Sequence, residues 1–106
     1  MQRQHQLVLC ICPDQGSAQT IAEHLIDEGQ AACVNILPGI MSIYSWQGKR
    51  ESAREHMLII KTTNNAYGRL EKTITELHPY ELPEIIAVNI DNGNAGYLNW
   101  ISKNIK

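Results

Sequence analysis

The middle of the chain reads Met41-Ser42-Ile43-Tyr44-Ser45-Trp46-Gln47-Gly48-Lys49, an alternating strand that runs into a turn. Side chains of a strand point alternately to its two faces, so Tyr44 and Trp46 share one face. Gln47-Gly48-Lys49 has the composition of a hairpin turn, and the return strand would end near Lys61. The stretch therefore predicts a long β-hairpin at the centre of the chain.

The chain before this hairpin predicts a strand and a helix. The apolar run from Leu7 to Cys12 is typical of a fully buried strand and stops at Pro13. Asp14 or Ser17 then offers a helix N-cap, and Gly29 stands where a left-handed C-cap would lie. The apolar face of this helix would be formed by Ala18, Ile21, Ala22, Leu25 and Ile26.

The chain after the hairpin repeats this order. Asn64 or Asn65 can cap a second helix, which must end before Pro79 because proline breaks the helical hydrogen-bond ladder. A further strand covers Glu84 to Ile90. Asn94 can then cap a short last helix.

The predicted order is strand, helix, strand, strand, helix, strand and terminal helix. A split βαβ unit repeated in this way is the ferredoxin-like arrangement, an α+β fold with an antiparallel sheet. We therefore predict one domain over residues 1–106, with a bulge at Pro38-Gly39 inside the hairpin. Two helices would cover one face of the sheet and leave the other open, which predicts an oligomer.

Composition excludes several function classes. The chain has 106 residues, 43% of them hydrophobic, and a formal charge of -2, so it carries no electrostatic footprint for nucleic acid. It has neither an apolar run long enough to span a bilayer nor a basic amphipathic helix, and we expect no membrane association. Three cysteines without disulfide-scaffold spacing indicate a reducing compartment, most simply the cytoplasm.

Candidate metal ligands are few and soft. Cys10 and Cys12 lie on the same side of the first strand, and with Cys33 and His78 they suit copper or zinc. No paired spacing of a structural zinc site is present, so a metal is not expected to be required for folding. Buried cysteines are also ordinary core residues, and both interpretations stay open. Cys12 precedes a helix, but no base is placed beside it, which argues against an enzyme.

The segment from His78 to Glu84 is a stiff connector, because Pro79 and Pro83 restrict its backbone. It is either a helix stop followed by a strand start, or a rigid loop that positions polar and aromatic groups. Trp46, at the tip of the hairpin, is either a contact within an oligomer or a platform for a ligand.

Several blocks of sequence together resemble the CutA divalent-cation tolerance family, over nearly the whole chain and in the right order. They are Val8-Leu9-Cys10-x-x-Pro13-Asp14, Ala31-Ala32-Cys33-Val34-Asn35-Ile36, Ser42-x-Tyr44-x-Trp46-x-Gly48-Lys49, Lys61-Thr62, His78-Pro79-Tyr80-x-x-Pro83-Glu84 and Tyr97-Leu98-x-Trp100. The resemblance implies a ferredoxin-like protomer in a homotrimer, similar in shape to the PII signal proteins. It also implies a cytoplasmic protein of copper and divalent-metal tolerance, with no enzymatic activity.

The resemblance also implies metal ligands. Cys10 matches the first-strand cysteine of the family, and His78 matches the second histidine of a His-His pair. Leu77 occupies the place of the first histidine, so this chain departs from the family pattern there.

Two functions follow as hypotheses. The leading one is a non-enzymatic, cytoplasmic homotrimer that binds copper or other divalent cations through Cys10 and His78. The alternative is a PII-like small-molecule sensor with ligand clefts between subunits. Those clefts would be lined by Trp46, Lys61, Tyr80 and Glu84.

Overall fold

The computed structural model describes residues 4–106, and its strands form one antiparallel sheet in the order β2-β3-β1-β4. The elements are β1 His5–Cys12, α1 Gln15–Asp27, β2 Cys33–Trp46, β3 Lys49–Thr63, α2 Tyr67–Leu77, β4 Ile85–Asn89 and α3 Ala95–Lys103. Two split βαβ units thus pair through a central β1 and β3. The predicted α+β, ferredoxin-like fold is confirmed.

The core lies between the sheet and the helices α1 and α2. Val8, Cys10 and Cys12 of β1 point toward the helices and are fully buried, as are Leu58 and Ile60 of the neighbouring β3. Alternation along the strands directs the intervening residues to the opposite face. Two apolar side chains of β4 on that open face, at positions 86 and 88, are half exposed.

The β2–β3 hairpin is longer than the rest of the sheet. Its register runs from the pair Cys33 and Lys61 to the pair Trp46 and Lys49, and it shifts near Gly39. Gly39 has a φ of +72°, so the predicted bulge is confirmed. The tip turns through two residues of positive φ, at positions 47 and 48, as a two-residue hairpin loop requires.

The outer half of this hairpin is largely exposed. Met41, Ile43 and Trp46 each remain more than half exposed, with Ile43 at 68%. Apolar side chains in such number on one projection favour contact with another molecule.

Side-chain caps fix two of the three helix starts. The Asp14 carboxylate accepts a hydrogen bond from the Ser17 N–H at 2.8 Å, and this bond lowers the pKa of Asp14. Asn94 accepts from the Tyr97 N–H at 2.9 Å, so both predicted caps are confirmed. The predicted cap at Asn64 or Asn65 is wrong. Residues 64–66 form a short 3₁₀ turn, and α2 begins after it without a side-chain cap.

The helices in residues 4–106 lack the combination of length and apolar character that a membrane crossing needs.

Gly29 ends α1 with a φ of +67°, which confirms the predicted left-handed cap. A Cβ at this position would lie 2.4 Å from Cγ of Lys106, because the C-terminal residue docks here through a 2.8 Å bond from its N–H to the Gly29 carbonyl. Gly29 therefore joins the end of α1 to the end of the chain.

We predict that Gly29→Ala lowers the free energy of unfolding by about 1–2 kcal/mol, since other residues strain in the left-handed region. Gly68→Ala is the matched control: Gly68 lies in α2 with open space around it and should gain about 0.5–1 kcal/mol. Urea titration at one protein concentration measures both. Equal effects of the two substitutions would contradict the assignment.

Candidate metal centre and the neighbouring cleft

Cys10, Cys12 and His78 converge beneath the helices. Their ligand atoms all lie within 4.8 Å of one another, and all three side chains are buried. Because side chains alternate along β1, Cys10 and Cys12 lie on the same face of the sheet. His78 directly follows the last residue of α2. Within residues 4–106, this is the one cluster of three such side chains close enough to hold a metal ion.

The imidazole of His78 is fixed by two backbone groups. Its Nε2 lies 2.7 Å from the carbonyl oxygen of Ile11, and its Nδ1 lies 3.0 Å from the backbone nitrogen of Tyr80. A carbonyl can only accept and an amide N–H can only donate, so Nε2 carries the proton and Nδ1 accepts. The ring is therefore a neutral bridge between β1 and the connector.

The two thiols of this cluster lie close enough to affect each other's protonation. The hydrogen bond to Cys12, together with burial, raises the pKa of the Cys10 thiol. One buried thiolate opposes the formation of a second beside it, because like charges repel strongly away from water. A metal ion that binds both sulfurs must therefore displace protons, and its affinity will rise with pH.

The chemistry of the donors fits a soft metal. Two thiol sulfurs and one imidazole nitrogen suit copper, zinc or cadmium, whereas magnesium and calcium prefer oxygen ligands. Cys10 and Cys12 would supply the sulfurs. His78 would bind through Nδ1 only by giving up the hydrogen bond from the Tyr80 N–H.

A cleft of about 790 Å³ lies on the opposite face of the sheet, between the hairpin and the connector. We call it the aromatic cleft, because Tyr44, Trp46 and Tyr80 line it together with the carboxylates Glu55 and Glu84. Ile11 and Met57, which are paired across β1 and β3, also line the cleft. Ile11 lies between Cys10 and Cys12 in β1 and therefore faces the other side of the sheet.

The structure brings together most of the residues singled out by sequence. Cys10 and His78 meet at the candidate metal cluster, and Trp46, Tyr80 and Glu84 line the aromatic cleft. Lys61 lies elsewhere: its Nζ contacts the Asn35 side chain and is 3.9 Å from the Cys33 sulfur, on the open sheet face.

Sequence reasoning passed over Glu55. It stands in the polar first half of β3, yet it is only 6% exposed. Its Oε2 accepts a hydrogen bond of 2.6 Å from the Tyr80 hydroxyl. Because side chains alternate along a strand, Glu55 shares a face with Met57 and Ile59. This alternation was the signal in the sequence that could have pointed to Glu55.

Sequence reasoning counted Cys12 among the soft residues that suit a metal, but named only Cys10 and His78 as the ligands. The structure places its sulfur beside the Cys10 thiol and the His78 ring. The Cys10-x-Cys12 spacing was the signal, but nothing in the sequence showed that His78 returns to the same face.

The fold and this donor set define a ferredoxin-like protein with a candidate soft-metal centre. The sequence model of the CutA1 divalent ion tolerance protein family matches residues 6–104, and the chain belongs to this family. The divalent-cation tolerance protein CutA of Thermus thermophilus is 46% identical over 99 residues, which cover 93% of this chain and 96% of that protein. The protein CutA homolog of Xenopus laevis is 42% identical over 90 residues, which cover 85% of this chain and 60% of that protein.

Solved structures show the same architecture. The structure of the divalent cation tolerance protein from Thermus thermophilus superposes with a TM-score of 0.95 at 44% identity, covering 96% of this chain and 99% of that one. A structure from Archaeoglobus fulgidus, described as a periplasmic divalent cation tolerance protein CutA, gives 0.93 at 33% identity, with coverage of 96% and 99%.

The phenol of Tyr80 provides a pH prediction. Partial burial and the hydrogen bond to the Glu55 carboxylate raise the pKa of Tyr80. We predict that Glu55→Gln lowers this pKa toward the ordinary phenol value of about 10, because the neighbouring negative charge is gone. Ultraviolet titration of tyrosinate measures the shift, and loss of the transition in Tyr80→Phe assigns it.

The raised pKa of Tyr80 also makes the free energy of unfolding depend on pH. The folded chain holds the Tyr80 proton to a higher pH than the unfolded chain, so this group lowers stability as pH rises above about 10. Glu76→Gln, an exposed change on α2, is the control and should leave the titration unaltered. A Tyr80 transition at the same pH in Glu55→Gln and in the unchanged protein would refute the interaction.

Proposed function

We propose that this protein is a non-enzymatic, cytoplasmic homotrimer that binds copper or other thiophilic divalent cations at Cys10, Cys12 and His78. Membership of the divalent ion tolerance family supports the general role. The observation that carries the specific site is the convergence of three soft donors within 4.8 Å. A metal held there would be buried and kept from reaction with other cell components.

Binding would use protonation changes that the chain itself provides. The two thiols would have to lose protons to act as ligands, and Nδ1 of His78 would have to give up its hydrogen bond from the Tyr80 N–H. The bond from Nε2 to the Ile11 carbonyl can persist and orient the ring. One of the proposed ligands, His78, would thus be held in orientation by the protein backbone.

The arrangement of His78 supports a role other than catalysis. Both ring nitrogens are engaged by backbone groups, so the imidazole is not placed to take a proton from Cys12. The same ring therefore suits structure and ligation better than general-base chemistry.

The open sheet face supports the trimer. Ile86 and Val88 are half exposed on β4, and the outer hairpin presents further apolar side chains. A second copy would cover such surfaces. The cysteines are free thiols, which supports the reducing environment of the cytoplasm.

A second candidate function, small-molecule sensing, is favoured by the aromatic cleft. Trp46 from the hairpin and Tyr80 and Glu84 from the connector meet there. Cavities of a few hundred cubic ångströms are the usual size of ligand sites.

We predict that Cd²⁺, a redox-inert thiophilic probe, binds the reduced protein and gives a thiolate charge-transfer absorption. Cys10→Ala and Cys12→Ala should each weaken binding at least about tenfold, since each removes a sulfur ligand. Cys33→Ala is the control, because Cys33 lies outside the cluster. Anaerobic calorimetry and ultraviolet absorption measure the effect.

Two results would decide against this site. Undiminished Cd²⁺ binding in both Cys10→Ala and Cys12→Ala would remove the cluster as the ligand. Loss of binding in Cys33→Ala alone would move the site to the open face. Circular dichroism of each variant checks that the fold is retained.

We predict a trimer by light scattering after size-exclusion chromatography, at three times the chain mass of 11.9 kDa. Val88→Arg should dissociate it, because the charge would enter the apolar open face. Glu71→Arg, on the exposed side of α2, should not. A monomeric mass for the unchanged protein would contradict the assembly.

A further inference from the structure

His56 is the strand neighbour of the candidate metal cluster. It pairs directly with Cys12 across β1 and β3. Residues opposite each other in an antiparallel pair point to the same face of the sheet, so the His56 imidazole lies on the helix-covered face with both thiols. The same register makes His56 a diagonal neighbour of Cys10, whose own partner is Leu58. An aromatic side chain at such a position can reach both the opposite and the diagonal residue.

The Nδ1 atom of His56 is buried and has no hydrogen-bond partner. Buried polar atoms of folded proteins are nearly always paired, so an exception calls for an explanation. A neutral imidazole keeps a lone pair on one of its nitrogens, and a proton on Nε2 leaves Nδ1 free to bind a metal. The other unpaired buried side-chain atoms of the described residues are amide oxygens, from Gln6, Gln30 and Asn64.

The β2 strand changes its register opposite His56. Leu37 pairs with Met57 and Ile40 pairs with Glu55, so the bulge faces the residue between these two positions of β3. Bulges often lie next to functional sites, where they re-aim a side chain or end the local pairing. His56 is therefore paired regularly on its β1 side, toward the thiols, and irregularly on its β2 side.

We infer that Nδ1 of His56 supplies a fourth donor to the metal centre of Cys10, Cys12 and His78. This inference rests on the proposed function and deepens it. The three clustered side chains offer two sulfurs and one nitrogen, whereas zinc held by cysteine and histidine usually has four ligands in a tetrahedron. With His56 the coordination shell is closed, which suits retention of a thiophilic ion rather than catalysis.

The two imidazoles would enter this site at different cost. Nδ1 of His78 accepts a hydrogen bond of 3.0 Å from the Tyr80 N–H and would have to give it up. Nδ1 of His56 has no hydrogen bond to lose. His56 stands outside the group whose ligand atoms lie within 4.8 Å of one another, so its ring would turn about its two side-chain torsions to reach the ion.

An electrostatic role beside Asp14 is the competing explanation for His56. The hydrogen bonds from Ser17 lower the pKa of the Asp14 carboxyl, and the nearby charge of His56 contributes to the same shift. Asp14 already caps α1 through its 2.8 Å bond from the Ser17 N–H. The two explanations differ in what they predict, because support of Asp14 would affect stability and leave the metal affinity unchanged.

The test uses ¹¹³Cd²⁺ and the reduced native protein with ¹⁵N-labelled histidine. We expect a one-bond scalar coupling between the metal nucleus and Nδ1 of His56, since this coupling requires a coordinate bond. The chain has four histidines, and His5 and His24 should show no coupling. The signal of His56 is assigned by its loss in His56→Gln. Because the coupling is measured on the unchanged protein, it decides the question even where a variant is unstable.

Calorimetry then measures the contribution of His56 to affinity. His56→Gln removes the nitrogen ligand but keeps a polar side chain, and should weaken Cd²⁺ binding at least about tenfold. His24→Gln, on the exposed side of α1, is the matched control and should leave the affinity unchanged. Urea titration of the metal-free variants measures any separate effect on stability.

Three outcomes would overturn the inference. Coupling at His78 without coupling at His56 would leave the three-donor site of the proposed function intact and refute the fourth ligand. Lower stability of metal-free His56→Gln with unchanged Cd²⁺ affinity would assign His56 to Asp14. Coupling at His56 that persists in Cys10→Ala with Cys12→Ala would place the ion outside the cluster and contradict both proposals.

Discussion

The hydrogen bonds of the His78 imidazole connect the two regions of this molecule that carry the candidate sites. Its two nitrogens join the Ile11 carbonyl of β1 to the Tyr80 N–H of the connector, at 2.7 and 3.0 Å. The bridge is buried, so an unpaired partner on either side would cost about 1–3 kcal/mol. It therefore fixes where the connector crosses the end of the sheet. The same ring belongs to the candidate metal cluster and stands beside the connector wall of the aromatic cleft.

The candidate metal cluster and the aromatic cleft lie on opposite faces of the same strands, and the His78 ring is close to both. Cys10 and Cys12 point toward the helices, while Ile11 between them points into the aromatic cleft. Tyr80 links the two sides, since its N–H is bonded to the imidazole and its hydroxyl to Glu55. A metal ion that takes Nδ1 of His78 competes directly with the Tyr80 N–H. The two candidate functions therefore share a physical connection, although each can be tested without the other.

The sequence predicted local structure correctly where a single residue type determines the backbone conformation or a helix cap. Asp14 and Asn94 cap helices because a short side-chain oxygen can satisfy free backbone N–H groups, and Gly29 adopts its left-handed backbone without strain because it has no Cβ. The asparagine cap before α2 was wrong because β3 continues to its pairing with β1, where the Asn64 N–H bonds to the Gln4 carbonyl. Long-range strand pairing thus overrode a local capping preference.

The sequence by itself determined the order of elements, the ferredoxin-like topology and the identity of the soft donors, because periodicity and turn chemistry are local properties of the chain. Only the tertiary structure decided which of those donors meet. It joined Cys12 to Cys10 and His78, buried Glu55 beneath Tyr80, and left Lys61 with Asn35 on another part of the sheet. Residues 67 positions apart are bonded here through the His78 and Ile11 contact. Such proximity arises from packing across the sheet, which no short stretch of sequence records.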